Sequence, residues 1–194
     1  MPRDEVVNAQ RIRIVLAMAD AMHEKGYVGT PVADILKRAG VSRETFYQLF
    51  SSKLDCYLAA FDLVGEALLL QLRTVVEAPG SAMERFERSL KAYLEALASE
   101  PAYARLFLVE CHASGPEAMG RRHDFQRRLT DSVAELLGAT TEADRFAAQM
   151  FVAAVSALVT GPLVAHDTEA LRRLGPPLLD HVRRLADLGV FNIS

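Results

Sequence analysis

The 194-residue sequence lacks tryptophan, has only two cysteines, Cys56 and Cys111, and carries no strong excess of positive charge. Two cysteines cannot build the disulfide framework of a small secreted domain, so we expect a reducing cytoplasmic location. The N-terminal residues also lack the basic-then-apolar pattern of a secretory signal. The net charge of -3 excludes a protein that is uniformly coated with basic residues for nucleic-acid binding.

Motifs of catalysis and metal binding are also missing. The sequence has no Cys-x-x-Cys pair, no Gly-rich phosphate loop and no nucleophile motif. Di-iron helical bundles need Glu-x-x-His pairs, and none of the five histidines follows a glutamate at that spacing. Cys111 beside His112 is compatible with a tuned thiol, although a core role is the commoner one for a lone cysteine. We therefore expect no metal, no cofactor and no enzymatic activity.

The residues that are present favour an all-α fold. Apolar residues recur at spacings of three and four almost throughout, and no run shows the alternation of a strand. This spacing predicts helices at about 8–25, 30–39, 43–50, 53–76, 82–99, 101–113, 116–138, 142–165 and 168–189. Gly175-Pro176-Pro177 is expected to split the last stretch. The turn cluster at 78–81 is the best internal boundary, so we expect domains at 1–52 and 77–194 joined by a connecting helix at 53–76.

Residues 30–53 have the spacing of a helix-turn-helix. A helix ends at Ala39, a turn follows at 40–42, and a second helix begins at Arg43. Thr30 is expected to cap the first helix and Ser42 the second. In the second helix, the inward positions are Phe46, Leu49 and Phe50, and the outward positions are Arg43, Glu44, Thr45, Tyr47 and Gln48. A short helix with a polar outer face fits a DNA major groove, which is about 12 Å wide.

The run KGYVGTPVADILKRAGVSRETFYQLFSSK closely resembles the DNA-binding domain of the tetracycline-repressor (TetR) family of bacterial regulators. This resemblance implies phosphate contacts for Thr30, Ser42, Tyr47 and Lys53. It implies contacts to base edges for Arg43, Thr45 and Gln48. At position 49 the family often has a polar residue or histidine, so the presence of Leu49 predicts that one backbone contact is missing.

The second region has apolar side chains interleaved with a few polar ones, and they could line a cavity between helices. The candidate lining residues are Phe61, Leu68, Phe86, Tyr93, Phe107, Cys111, His112, Met119, His123, Met150 and Phe151. Plain core packing is the alternative for each of them. The resemblance favours a cavity that binds a small, largely apolar effector.

Two C-terminal stretches predict a homodimer. The segment 149–165 is apolar nearly all round but is too short and too polar for a membrane span. Its free face would be covered by a second copy of the chain. Residues 178–188 add a near-heptad stripe, made of Leu178, Leu179, Val182, Leu185 and Leu188. We therefore expect the dimer to form through the helices at about 142–165 and 176–189; an ordinary core helix within a monomer is the alternative.

The predicted function is a ligand-responsive DNA-binding regulator, most simply a repressor released from double-stranded operator DNA by its effector. The third helix of each subunit would enter a major groove, and the effector would make the helix at 53–76 swing. The alternative is a helical small-molecule sensor or carrier that does not bind DNA. Retarded migration of the chain's own upstream DNA discriminates between the two.

Overall fold

The computed structural model describes residues 3–191, and within that range the chain consists of helices and turns without a strand. The predicted all-α fold is confirmed. The elements in chain order are α1 (Arg3–Gly29), α2 (Val32–Ala39), α3 (Arg43–Leu49), α4 (Lys53–Val76), α5 (Ala82–Ser99), α6 (Pro101–Leu108), a 3-10 turn (Glu110–His112), α7 (Pro116–Leu136), α8 (Glu142–Val164), α9 (Thr168–Arg173) and α10 (Gly175–Asp187).

Local signals set most of the helix ends. Gly40 ends α2 in the left-handed region at φ 62°, where glycine carries no steric penalty. α5 begins with a reciprocal capping box between Ser81 and Glu84, and α8 begins with another between Thr141 and Asp144. The last predicted stretch is split between α9 and α10, as expected.

Two helices differ from their predicted course. α1 extends to Gly29, but Gly26 breaks its helical geometry at φ 70°, so the predicted stop lies at the right residue. The prediction of one helix over 101–113 is wrong, because α6 ends at Leu108 and a 3-10 turn follows. This turn buries the side chain of Glu110, which connects it to α1.

The first three helices form an N-terminal unit on which α4 begins. Its core contains the buried residues Ile14, Met18, Met22, Ile35, Phe46 and Phe50. α4 then runs into the C-terminal helices and packs against α5, α6 and α7. Tyr57 of α4 is fully buried, and its hydroxyl donates to the Leu106 carbonyl of α6 at 2.8 Å. α4 therefore contacts both the N-terminal unit and the C-terminal helices α5, α6 and α7.

α8 is the most apolar helix of the C-terminal region. By length and composition alone it is apolar enough to cross a membrane, with a mean hydropathy of 1.7 over 18 residues. A central or interface helix of a soluble protein passes the same test, so this property is weak evidence for a membrane span. In the structure α8 packs on α7, α6 and α9.

Candidate functional site

The turn before α3 is fixed by its own side chains. Ser42 has extended backbone angles, and its hydroxyl oxygen accepts a hydrogen bond from the Thr45 N–H at 3.0 Å. This confirms the predicted cap. The Thr45 hydroxyl lies 2.9 Å from the Ser42 hydroxyl, which leaves both side chains on the same end of the helix. The beginning of α3 is therefore held before any ligand arrives.

The inner face of α3 is anchored to α1. Phe46 and Phe50 are buried, with their ring centroids 5.6 Å apart, as the helical spacing predicts. Arg11 donates to the Leu49 carbonyl at 3.0 Å, and its guanidinium lies 4.5 Å from the Phe50 ring centroid. Sequence reasoning missed Arg11, because its contact joins residues 38 positions apart. Arg11 satisfies a carbonyl at the end of α3 and fixes the orientation of that helix.

The outer face of α3 presents the predicted polar residues to solvent. Ser42, Arg43 and Gln48 are exposed, Tyr47 is 48% exposed, and Thr45 is half-buried. Within residues 3–191, Arg43 forms no ion pair. Ser42 and Thr45 lie at the beginning of this short helix, and Arg43, Tyr47 and Gln48 lie along its solvent side. Hydrogen-bonding groups in these places can meet phosphates and base edges.

Thr30 does not have the role predicted for it. It is fully buried, and its hydroxyl donates to the Gly26 carbonyl at 2.7 Å. The N-cap position of α2 belongs to Pro31, and no side chain caps that helix. Both the cap and the phosphate contact predicted for Thr30 are therefore wrong. The break at Gly26 folds the following turn back onto α1, which places Thr30 inside.

Two hydrogen-bond donors of the Lys53 ammonium are already used within the protein. Its Nζ donates to the Tyr27 carbonyl at 2.8 Å and to the Thr30 carbonyl at 3.1 Å. The ammonium also lies 4.1 Å from the Tyr27 ring centroid, and burial lowers the pKa of Lys53. An ammonium group has three donors, so one remains for a phosphate oxygen. Lys53 fastens the first turn of α4 to the α1–α2 connection, and its contact with DNA stays a prediction.

A buried carboxylate joins the C-terminal helices to the N-terminal unit. Glu110 accepts a hydrogen bond from the Tyr27 N–H at 2.8 Å and pairs with Arg105 at 3.3 Å. Arg105 in turn donates to the Leu163 carbonyl of α8 at 3.1 Å. Tyr27 is therefore held by Glu110 through its N–H and by Lys53 through its carbonyl. The one sequence signal for this contact was a glutamate inside the apolar run 106–111.

A cavity lies between α4, α5, α6, α7 and α8. It has a volume of about 70 Å³ and is lined mostly by apolar side chains, with Arg122 as the charged residue of its wall. Arg122 donates to the Leu108 carbonyl at 3.3 Å and to the Ser156 hydroxyl at 2.8 Å. The Tyr93 hydroxyl also belongs to the lining, and its burial raises its pKa to about 12. Ligand sites usually measure about 300–1,000 Å³, so an effector must move the walls apart.

The structure separates the predicted lining residues into groups. Those that line this cavity are Phe86, Tyr93, Phe107 and Phe151. Leu68 and again Phe107 line a second crevice of about 290 Å³ between α1 and α4–α6. Phe61 stacks on Phe107 behind the wall, with 4.2 Å between ring centroids, and faces a surface groove. Sequence reasoning missed Arg122, although it begins an apolar face of α7 that continues at Phe125.

The remaining five predictions for the lining are wrong. His112 and Met119 are exposed, and His123 lies in a shallow groove on the outer surface. Met150 is 56% exposed, whereas Phe151 is buried, because adjacent residues of a helix face different directions. Cys111 is buried behind Arg122 and does not line the cavity, and this burial raises the pKa of its thiol, so a reactive thiol is not indicated. Among residues 3–191, no His, Cys, Asp and Glu side chains group into a possible metal site.

The comparisons with known proteins agree with the geometry. Residues 14–60 match the family described as "Bacterial regulatory proteins, tetR family". The HTH-type transcriptional activator FasR of Mycolicibacterium smegmatis is 24% identical over 158 residues, 81% of this chain and 70% of that protein. The HTH-type transcriptional regulator RutR of Escherichia coli is 26% identical over 147 residues, 75% of this chain and 68% of that protein. Residues 14–60 of this chain are therefore a TetR-family DNA-binding domain.

Solved structures of bacterial regulators share the fold of this chain. The fatty acid degradation regulator FadR from Bacillus halodurans superposes with a TM-score of 0.79 at 21% identity, over 88% of this chain and 93% of that one. FadR from Bacillus subtilis, solved in complex with stearoyl-CoA, gives 0.75 at 19% identity over 87% and 95%. The chain is a DNA-binding transcriptional regulator, and a carrier without DNA binding is not favoured.

One apolar face of α8 is exposed to solvent in the single chain. Phe146 is 60% exposed, Met150 56% and Val164 53%, and the positions between them on this face are Ala153, Ala157 and Gly161. This is the face expected to meet a second copy.

On α10 only part of the predicted apolar stripe is free to contact a second copy of the chain. Leu178 and Val182 are buried against the regulator's own α5 and α9, and the exposed positions include His181, Arg183 and Arg184. The stripe prediction is wrong for these two residues, because a near-heptad spacing does not distinguish an internal from an external partner.

Proposed function

We propose that this TetR-family regulator is a repressor that leaves its operator when a small, largely apolar molecule enters the cavity between α4 and α8. Regulators of this family bind operator DNA and small-molecule effectors, typically as dimers. The observation that carries the proposal is the Glu110–Tyr27 contact, because it connects the wall of that cavity to the helix-turn-helix. The residues that we assign to DNA binding lie on the Tyr27 side of this contact, and those that we assign to effector binding lie on the Glu110 side.

We assign DNA binding to the exposed residues of α3. Arg43, Thr45 and Gln48 are assigned to base edges in the major groove. Ser42 and Tyr47 are assigned to phosphates, and Lys53 contributes the donor that its internal contacts leave free. The capped beginning of α3 and the Arg11 anchor at its end support this assignment, because they hold the helix rigid before it meets DNA.

The dimer side of the proposal uses the uncovered face of α8, with the outer surface of α10 beside it. A two-fold axis through this face would present two copies of α3 to successive major grooves of a pseudo-palindromic site. The apolar and small residues of the face support it, since large exposed apolar side chains in a row mark contact surfaces. We assign the cytoplasm as its location, where chromosomal DNA is accessible.

The proposed effect of the effector follows from the small volume of the cavity and from the residues that form its wall. An effector that fits must displace side chains, and one wall is the end of α6, where Arg122 holds the Leu108 carbonyl. Glu110 follows two residues later and holds Tyr27, which also binds Lys53. A displacement of α6 is therefore passed to the α1–α2 connection and to the first turn of α4. Both elements set the position of α3.

The test is DNA binding with and without an effector. Fluorescence anisotropy with the DNA upstream of the chain's own coding region should give a salt-dependent Kd, and a scrambled duplex of the same length should bind at least tenfold more weakly. A reporter gene behind the same DNA should be repressed by the protein. Equal affinity for both duplexes, or activation of the reporter, would overturn the proposal.

A further inference from the structure

The guanidinium of Arg122 is a charge without a counter-charge. It donates to the Leu108 carbonyl and the Ser156 hydroxyl and also lies beside the Cys111 thiol, all of them neutral groups. Within the described part of the chain, no carboxylate oxygen lies within 4.0 Å of it. The side chain is half-buried and is the one charged member of a mostly apolar cavity lining. Placing a cation against apolar groups costs free energy unless a partner compensates for it.

Arg105 shows how the same protein treats a guanidinium that has only a structural role. Arg105 lies one turn from the end of α6, and the buried carboxylate of Glu110 neutralises it at 3.3 Å. Arg121, the neighbour of Arg122 in sequence, is paired with Asp62 on the surface. Arg122 differs from both because it faces a cavity and keeps its charge available. The complementary charge is expected to come from outside the chain.

The shape of the cavity limits what that ligand can be. The lining positions of α7 are Arg122, Phe125, Gln126, Leu129, Val133 and Leu136. They form one face of the helix from residue 122 to residue 136, which is about 21 Å at 1.5 Å per residue. The cation lies at one end of this face, and everything beyond Gln126 is apolar. The α7 side of the cavity thus carries a cation at one end and apolar side chains beyond Gln126.

We propose that the effector of this regulator is an elongated apolar carboxylate, whose carboxylate binds the Arg122 guanidinium and whose tail lies along α7 toward Leu136. Tyr93 and Ser156 line the same cavity, and their hydroxyls are further donors for the carboxylate oxygens. Arg and carboxylate form bidentate charge-assisted hydrogen bonds, which suit a buried head group. This assignment of ligand class rests on the proposed effector role of the cavity.

The same contact explains how a head group would act on DNA binding. A carboxylate on Arg122 competes with the Leu108 carbonyl for the guanidinium, and Leu108 is the last residue of α6. Releasing this carbonyl loosens the end of α6 directly before Glu110. The ligand's charge would therefore change the contact between Arg122 and Leu108, which lies directly before the Glu110–Tyr27 contact.

The experiment compares two ligands of equal chain length, decanoate and decan-1-ol, by isothermal titration calorimetry. The variants are Arg122→Gln, Arg122→Lys and the charge-matched control Arg127→Gln, whose side chain is exposed on the same helix α7 outside the cavity lining. The native protein should bind decanoate at least about tenfold more tightly than decan-1-ol. Arg122→Gln should lose about tenfold or more for decanoate and stay within about threefold for decan-1-ol, and Arg122→Lys should recover part of the loss. The control should match the native protein.

Three results would overturn the assignment: equal binding of the two ligands by the native protein, no binding of decanoate, or an equal loss of both ligands in Arg122→Gln while Arg122→Lys binds normally. Circular dichroism confirms that each variant is folded. A separate arm adds decanoate to the protein–DNA complex. If decanoate binds through Arg122 but does not release DNA, the ligand class stands and the proposed release mechanism fails. If DNA binding itself is absent, the repressor proposal fails independently of either titration.

Discussion

Replacing Glu110 by glutamine tests the contact on which the proposed coupling depends. The carboxylate accepts two hydrogen bonds, from the Tyr27 N–H and from the Arg105 guanidinium. Charge-assisted bonds contribute about 1.5–3 kcal/mol each and neutral ones about 0.5–1.5 kcal/mol. The amide keeps the shape and one acceptor oxygen but leaves Arg105 without a counter-charge. We therefore expect Glu110→Gln to lower the free energy of unfolding by about 2 kcal/mol.

Thermal denaturation followed by circular dichroism measures this loss. For a chain of 194 residues, each kcal/mol shifts Tm by about 2–4 °C, so the expected decrease is about 4–8 °C. The control is Glu135→Gln, whose side chain is exposed on α7, and it should change stability by less than about 0.5 kcal/mol. A Glu110→Gln variant that melts with the native protein would show that this carboxylate does not hold the two parts together.

The same variant has a functional readout below its melting temperature. In the native protein, decanoate should weaken operator binding by a factor in the range of about 5–150. In Glu110→Gln this factor should fall toward one, because the displacement of α6 no longer reaches Tyr27. An unchanged factor together with a lowered Tm would mean that Glu110 stabilises the fold but does not transmit the effector signal.

The other predictions concern α3, α8 and the cavity. Arg43→Ala should cost about 1–3 kcal/mol of operator affinity and reduce the preference for the operator over a scrambled duplex, as measured by anisotropy; an equal loss for both duplexes would assign Arg43 to phosphate. Ala157→Glu on the uncovered face of α8 should give monomers in light scattering with an unchanged melting profile, and persistent dimers would move the interface elsewhere. Leu129→Trp should fill the cavity and abolish decanoate binding while operator affinity stays within about threefold, at a stability cost of about 1–3 kcal/mol.

The sequence predicts correctly where local chemistry decides the outcome. The turn at Gly40, the cap at Ser42 and the inward direction of Phe46 each follow from a few neighbouring residues. Thr30 was misassigned because its environment depends on how the break at Gly26 folds back onto α1. A threonine before Pro31 has the local appearance of a cap, and only the three-dimensional course of the chain shows it to be internal.

Long-range contacts account for the other errors and omissions. The interruption of the predicted helix at 101–113 follows from the burial of Glu110 against Tyr27, which is 83 positions away in sequence. Met150 and Phe151 were assigned to one cavity because both are apolar, but adjacent residues of a helix face different directions. The burial of Leu178 and Val182 depends on α5 and α9, and the apolar spacing of α10 does not identify its partner.

The small volume of the cavity links the two binding sites thermodynamically. A cavity of about 70 Å³ belongs to a conformation that an elongated effector cannot occupy. Effector binding therefore selects an expanded conformation, and its apparent Kd is increased in proportion to how rarely that conformation is populated. In the proposed mechanism, operator DNA stabilises the closed conformation and lowers this population further. Linkage then requires operator DNA to weaken effector binding by the same factor by which the effector weakens DNA binding, so titrating decanoate into the preformed DNA complex must give a Kd higher by that factor.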